Sequence, residues 1–262
     1  MLMDKFHNRY IVKGTIIAET PIHIGVGSES IDLVDTDNAV IKDKDGKPYI
    51  PGSSLKGALR SWLETFLRGR GSKTIGAGED NICLCVNEPC IGDDNESRNW
   101  LRGLKKKYEG ENNADRLIAK EIYERLCAVC RVFGSQRFAS KITIHDSKLK
   151  GEKAYIEKRD GVAIDRDTGT AATNKKYDFE QVASGAEFDF YMTADNLDKD
   201  NVEILKLIIN VLKNGDLIVG GKTSVGLGRV RLYDPQVYKI DTNNLENYLL
   251  NGLSEEMRWK HV

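Results

Sequence analysis

Apolar residues along the chain repeat with two periods. "RYIVKGTIIAET" (9–20), "KITIHDSKL" (141–149), "AEFDFYMTAD" (186–195) and "GRVRLYD" (228–234) are β-rich or alternate apolar with polar residues, which predicts strands. A shorter strand, "AVIK", stands within an otherwise acidic, loop-like stretch at 29–48. Helical spacing governs "PGSSLKGALRSWLETFLRGRG", where Leu55, Leu59, Trp62, Leu63 and Phe66 make an apolar stripe and Ser53 or Ser54 can cap the first turn. It also governs "VEILKLIINVLKNG", through Val202, Leu205, Ile208, Ile209 and Leu212, with Lys213, Asn214 and Gly215 as a stop. Weaker helical patterns lie near 114–126 and 243–252. Collapsed to its main elements the order is β–α–β, then β–α–β. That order predicts an α+β fold, a ferredoxin-like (RRM-like) antiparallel sheet with its helices on one face.

The remaining stretches divide a single domain. The core is expected at about 9–68, 131–158 and 183–234. A cysteine-rich insertion occupies 69–130, a polar hairpin about 159–182, and a polar tail 235–262. Composition adds little to this: 262 residues, 30% of them charged, fit a soluble protein with a sizeable core. No apolar run is long enough to span a membrane, and "MLMDKFHNRY" lacks the apolar segment of a signal peptide. A reducing, cytoplasmic location with no membrane partner is the expectation. A net charge of −1 argues against a uniformly basic nucleic-acid binder but leaves room for local basic clusters. Three exist: "KGALRSWLETFLRGRGSK", "LRGLKKK" and "LIVGGKTSVGLGRVRL".

The last cluster carries candidate chemistry. Gly220, Gly221, Gly226 and Gly228 surround Lys222, Thr223 and Ser224 and lead to Arg229. A nucleotide P-loop would need glycine where Asp216 stands, and it would follow a strand and open a helix. Here a helix precedes the loop and a strand follows. Two readings remain open on the residues alone: a glycine-rich hairpin without a ligand, or a nest of backbone N–H groups that holds phosphate, helped by Lys222 and Arg229. A second phosphate site could form at "PGSSLKGALR", where Ser53, Ser54 and the free amides of a helix start adjoin Lys56 and Arg60, four residues apart on one side. The alternative there is a capped helix with solvated charges.

Five cysteines, Cys83, Cys85, Cys90, Cys127 and Cys130, form C-x-C-x₄-C and C-x₂-C. In a reducing compartment this reads as a structural zinc site of four thiolates with one to spare, with Cys85, Cys90, Cys127 and Cys130 the preferred set; free buried thiols are the alternative. His23 stands between Ile22 and Ile24, and on an alternating strand it would face away from both. Asp32, Asp35 and Asp37 are acidic loop residues that on their own read as solvated.

Four segments in this order resemble the RAMP superfamily of CRISPR–Cas proteins, in particular the Csm-type backbone subunits of type III effector complexes. They are "IHIGVGSESIDLVDTDNAVIKDKDGKPYIPGSSLKGALR", "CRVFGSQRFASKITIHDSKL", "GVAIDRDTGTAATNKKYDFEQVASGAEFDF" and "GGKTSVGLGRV". The resemblance implies a ferredoxin-like core whose polar hairpin is a thumb reaching over RNA. It implies a subunit that polymerises with further copies of itself along guide RNA, beside other type III subunits. It also implies an endoribonuclease that cuts complementary target RNA with Mg²⁺ or another divalent ion. Asp37, just before "NAVIKD", matches the family's catalytic aspartate, although Ala39 stands where some relatives have proline. The resemblance places His23, Ser53, Ser54, Lys56, Arg60, Arg137, Arg166 and the glycine-rich loop from Gly220 to Arg229 along the RNA. A non-catalytic subunit of the same assembly is one alternative. Another is a guide-processing endoribonuclease of the same superfamily, although such proteins usually carry the glycine-rich loop nearer the C-terminus.

Overall fold

The computed structural model describes residues 2–25, 38–70 and 82–261, without the side chains of residues 70 and 172–176. Its elements are β1 (Asn8–Ala18), β2 (Tyr49–Ile50), α1 (Gly52–Arg70), α2 (Asn95–Lys107), α3 (Ala114–Arg125), α4 (Ala128–Phe133), β3 (Ile142–Ile144) and β4 (Ser147–Lys148). There follow β5 (Ile156–Ile164), β6 (Ala171–Val182), β7 (Glu187–Asp195), α5 (Lys199–Asn214), β8 (Leu217–Ile218), β9 (Arg229–Asp241) and α6 (Leu245–Asn251). One sheet runs β3-β7-β1-β9-β8, with every neighbouring pair antiparallel. Taking β1, α1, β3, β7, α5 and β9 as the double β–α–β unit, this is the ferredoxin-like order expected from the sequence, with β8 added at one edge.

Alternation explains the sheet. In β7, Phe188, Phe190, Met192 and Ala194 point into the core and the residues between them do not. α1 buries the i, i+4 row Leu55, Leu59, Leu63 and Leu67. Trp62 and Phe66, expected in that stripe, stack on each other beside it at 4.9 Å between ring centres, and Phe66 is exposed. α5 begins at Asp198, whose carboxylate accepts the Asn201 amide at 3.0 Å, and it ends on Gly215 in the left-handed conformation.

Several elements differ from expectation, among them "KITIHDSKL", which forms the two short strands β3 and β4 in different sheets. β9 continues to Asp241, pairing Asn8 with Asp241, instead of ending at 234. At Asp234-Pro235 the strand carries a bulge, where a proline lacking an N–H is tolerated. Opposite it lies Gly14, whose Cβ would meet the Tyr233 carbonyl at 2.9 Å. "AVIK" forms single bridges, Gly25 to Val40 and Lys42 to Pro48, and no continuous strand. α2 was not anticipated; its start is marked by Asp94, which accepts the Ser97 amide at 2.8 Å.

The main core lies between the sheet and helices α1, α4 and α5. On the other face, Ile11, Tyr238 and Ile240 pack under Met257, Leu245, Tyr248 and Leu253, so the C-terminal segment supplies a second, smaller core. The insertion is fastened to the fold by a buried polar cluster. The Tyr123 hydroxyl donates to Asp198 at 2.5 Å and accepts from Lys141 Nζ at 3.0 Å and Asn201 Nδ2 at 2.7 Å. Lys141 also donates to the Asn196 carbonyl at 2.9 Å, and burial pushes its ammonium down to about 8. Among the described residues no helix is long and apolar enough to cross a membrane.

Candidate nucleic-acid interface and metal centre

Three stretches far apart in sequence meet around residues 21–25, which leave β1. Along one side runs the end of β6: Ile22 and Val182 exchange backbone hydrogen bonds at 2.9 and 2.8 Å. Along another runs the segment that begins at Asn38, with the Ile41 amide donating to the Ile24 carbonyl at 2.8 Å. The glycine-rich loop closes the third side, its Gly221 and Gly228 amides donating to the carbonyls of His23 at 2.8 Å and Pro21 at 2.9 Å.

His23 is the hub, and it is buried together with both flanking isoleucines. Its Nδ1–H donates to the Glu180 carbonyl at 2.7 Å, and its ring meets Phe179 edge-on at 5.6 Å. Held this way, His23 ties the base of the β5–β6 hairpin to the segment that leaves β1.

Close approach to His23 explains part of the glycine pattern. Gly220 has φ +84°, and a Cβ there would lie 2.2 Å from the His23 carbonyl oxygen. Gly228 has φ +94°, and its Cβ would lie 2.1 Å from the Val219 oxygen. Both are conformations that glycine adopts without penalty. The loop is the turn of a hairpin, since Leu217 pairs with Val230 and Ile218 with Arg229. Thr223, Ser224 and Gly226 at its tip are exposed, above the buried Leu227. The expected nest is smaller than the glycine count suggested, because the amides of Gly221, Val225, Gly226 and Gly228 all donate within the protein. Lys222, itself left-handed at φ +56°, lays its ammonium 4.7 Å from the ring centre of Tyr177 and 4.5 Å from that of Phe179. Arg229 donates to the Gly215 carbonyl at 2.8 Å and pairs with Glu19 at 3.0 Å, while half its side chain remains exposed.

The start of α1 departs from expectation. Neither Ser53 nor Ser54 caps it through its side chain; the Gly52 amide is taken by the Asp146 carboxylate at 2.8 Å, and Ser53 faces solvent. Lys56 Nζ donates to Ser140 Oγ at 2.8 Å and to the Ile142 carbonyl at 3.4 Å, and burial pushes its ammonium down. Arg60 is spent within the fold, on Glu64 at 2.7 Å, the Gly134 carbonyl at 3.0 Å and Cys130 Sγ at 3.2 Å. The two basic residues thus brace α1 against the segment from Cys130 to Ile142. Arg137 is ion-paired with Asp93. Arg166 is exposed at the tip of the β5–β6 hairpin. Asp37, with Asp32 and Asp35, lies outside the described residues.

The cysteines converge, with one change of membership. Cys83, Cys90, Cys127 and Cys130 bring their sulfurs within 4.8 Å of one another; Cys85, preferred on spacing, is not among them. Four thiolates about 2.3 Å from a zinc ion would stand roughly 3.8 Å apart at tetrahedral geometry. The Cys83–Cys130 and Cys83–Cys127 separations of 3.3 and 3.7 Å fit that set. The backbone is arranged for sulfur anions: the Cys127 amide points at Cys90 Sγ at 3.3 Å and the Cys130 amide at Cys127 Sγ at 3.5 Å. Hydrogen bonds from Cys130, Cys83 and Cys90 push the Cys127 thiol down.

Sequence reasoning missed the base of the β5–β6 hairpin. In "YDFEQV", Tyr177 and Phe179 form the platform under Lys222, while Glu180 meets both His23 and the segment after Asp37. The alternation of aromatic and acidic residues was the available signal.

Three curated relatives are each named CRISPR system Cms endoribonuclease Csm3. The chain is 29% identical to that of Enterococcus italicus over 248 residues, 91% of this chain and 98% of the relative. It is 27% identical to that of Methanocaldococcus jannaschii over 237 residues, 86% of this chain and 79% of the relative. An 81-residue match to that of Methanothermobacter thermautotrophicus is 42% identical and covers 30% and 33% of the two chains. The family model described as RAMP superfamily matches residues 15–231, a span that takes in the end of β1, both core helices, the cysteine cluster, the hairpin and the glycine-rich loop. By that match, the chain belongs to the RAMP superfamily.

Proposed function

We propose that the protein is a backbone subunit of a type III CRISPR effector complex that lines up along guide RNA and cuts the complementary target RNA. The observation that carries this reading is the junction at residues 21–25. The glycine-rich loop, the hairpin base and the segment entering from Asp37 meet there. The exposed tip residues Thr223 and Ser224, with Arg166 on the hairpin, are the phosphate and sugar contacts best supported by exposure. Lys222 and Arg229 add positive charge beside them.

Cleavage uses the target's own 2′-hydroxyl. Its oxygen bonds to the adjacent phosphorus, the bond to the 5′-oxygen breaks, and the proton lost from one oxygen is balanced by one gained at the other. The products are a 2′,3′-cyclic phosphate and a 5′-hydroxyl. Asp37 is the residue assigned to hold a divalent ion, which would supply charge stabilisation at the scissile phosphate.

The experiment is target cleavage by complexes reconstituted with Asp37→Ala or Asp35→Ala, with Mg²⁺ present or chelated. Asp37→Ala should abolish cutting while RNA binding and assembly survive, because loss of a negative charge does not weaken binding to a polyanion. Asp35→Ala should be mild. Full cutting by Asp37→Ala would leave a non-catalytic backbone subunit as the better reading.

A further inference from the structure

We infer that Glu180, at the base of the β5–β6 hairpin, is a positioning residue for RNA cleavage. It locks the hairpin to the segment that follows Asp37. The inference rests on the proposed role of Asp37.

Each polar group of Glu180 is directed at this junction. Its amide donates to the Asn38 carbonyl at 3.0 Å, one residue past Asp37. Its carboxylate oxygen Oε2 accepts the Val40 amide at 3.1 Å and pairs with Lys42 Nζ at 3.0 Å. Its carbonyl accepts from His23 Nδ1 at 2.7 Å. One residue therefore grips residues 38, 40 and 42 with its amide and carboxylate, and His23 with its carbonyl. The carboxylate is mostly shielded from water, with 19% of the side chain exposed, which strengthens a charge-assisted bond to an amide.

The neighbouring residues carry the same connection outward. Phe179 packs on His23, and Phe179 with Tyr177 receives the Lys222 ammonium from the glycine-rich loop. A shift of the hairpin is thereby transmitted to Asn38–Lys42 on one side and to the glycine-rich loop on the other. Displacing a catalytic group by about 1 Å can cost on the order of a hundredfold in rate. The hairpin's seating on RNA would then decide whether Asp37 is in place to act.

The test uses the assembled complex with Glu180→Ala and Glu180→Gln, and with Asp37→Ala as control. Single-turnover cleavage of saturating target, target affinity and thermal midpoint are measured for each. Glu180→Ala should slow the cleavage step by about ten- to a hundredfold, the scale of a small misplacement. Affinity, subunit composition and midpoint should stay at wild-type values. Glu180→Gln, whose amide oxygen can still accept the Val40 N–H, should recover most of the rate. A wild-type rate for Glu180→Ala in a system where Asp37→Ala is inactive would overturn the positioning role alone. So would a loss that appears entirely as weaker target binding. Active Asp37→Ala would instead defeat the proposed function. The contact itself is read separately by hydrogen exchange of the 38–42 peptide in the free protein. Exchange should accelerate in Glu180→Ala, and unchanged exchange there overturns the inference whatever the cleavage data show.

Discussion

Single atoms decide which residues serve the metal centre. Spacing identified a four-of-five thiol site but favoured Cys85 over Cys83; the two stand two apart in an irregular segment, and only the path of the backbone settles which sulfur turns inward. With Cys83, Cys90, Cys127 and Cys130 as the set, purified protein should carry about one zinc per chain, the content of a single four-thiolate site. Cys83→Ser should lower that content and Cys85→Ser should leave it unchanged, as read by metal analysis. The reverse pattern would restore the choice made on spacing. Arg60 teaches a similar lesson. An arginine near a helix start reads as a phosphate ligand in sequence, yet its guanidinium faces Cys130 across 70 residues of chain. No local pattern encodes that contact.

At the level of elements, the strands and helices of the core were legible because each is amphipathic with one period along its length. β9 runs past its expected end into the tail that reads as polar, through a bulge opposite Gly14. The glycine-rich loop was legible as a turn, but its glycines are unequal. Gly220→Ala and Gly228→Ala would each press a methyl group against a backbone carbonyl at positive φ. A loss of about 1–3 kcal/mol or more is expected for each, the range of strained backbone. Gly226, at φ +90° with open space around its Cβ position, should cost only about 1 kcal/mol as alanine. Urea denaturation of the three variants checks the order, and equal losses would contradict it.

Across the whole molecule, the ties between the insertion and the core among the described residues include the Arg137–Asp93 ion pair and the Tyr123–Lys141 network. The second gives a pH signature. Lys141 is held near 8 when folded and returns to about 10.4 when unfolded. Between those values the unfolded chain binds more protons, so this residue makes stability rise with pH across that window. The contribution is at most about 3 kcal/mol. Lys141→Met should remove that rise while tyrosine and cysteine titrations stay common to both proteins; matching pH profiles for the two would refute it.

The central place of β1 also has a consequence for biosynthesis. Its two hydrogen-bonding neighbours, β7 and β9, are the seventh and ninth strands to leave the ribosome. At about 5–20 residues per second, a nascent chain would carry β1 for roughly nine to thirty-five seconds with both edges unpaired, and with one edge unpaired until β9 follows. Ile11, Val12 and Ile16 would stay uncovered for that interval, a risk of edge-to-edge association that ends only when the chain's last strand arrives. Truncation anywhere before Asp241 should therefore yield aggregated product and no smaller folded unit, as judged by the soluble fraction of a truncation series.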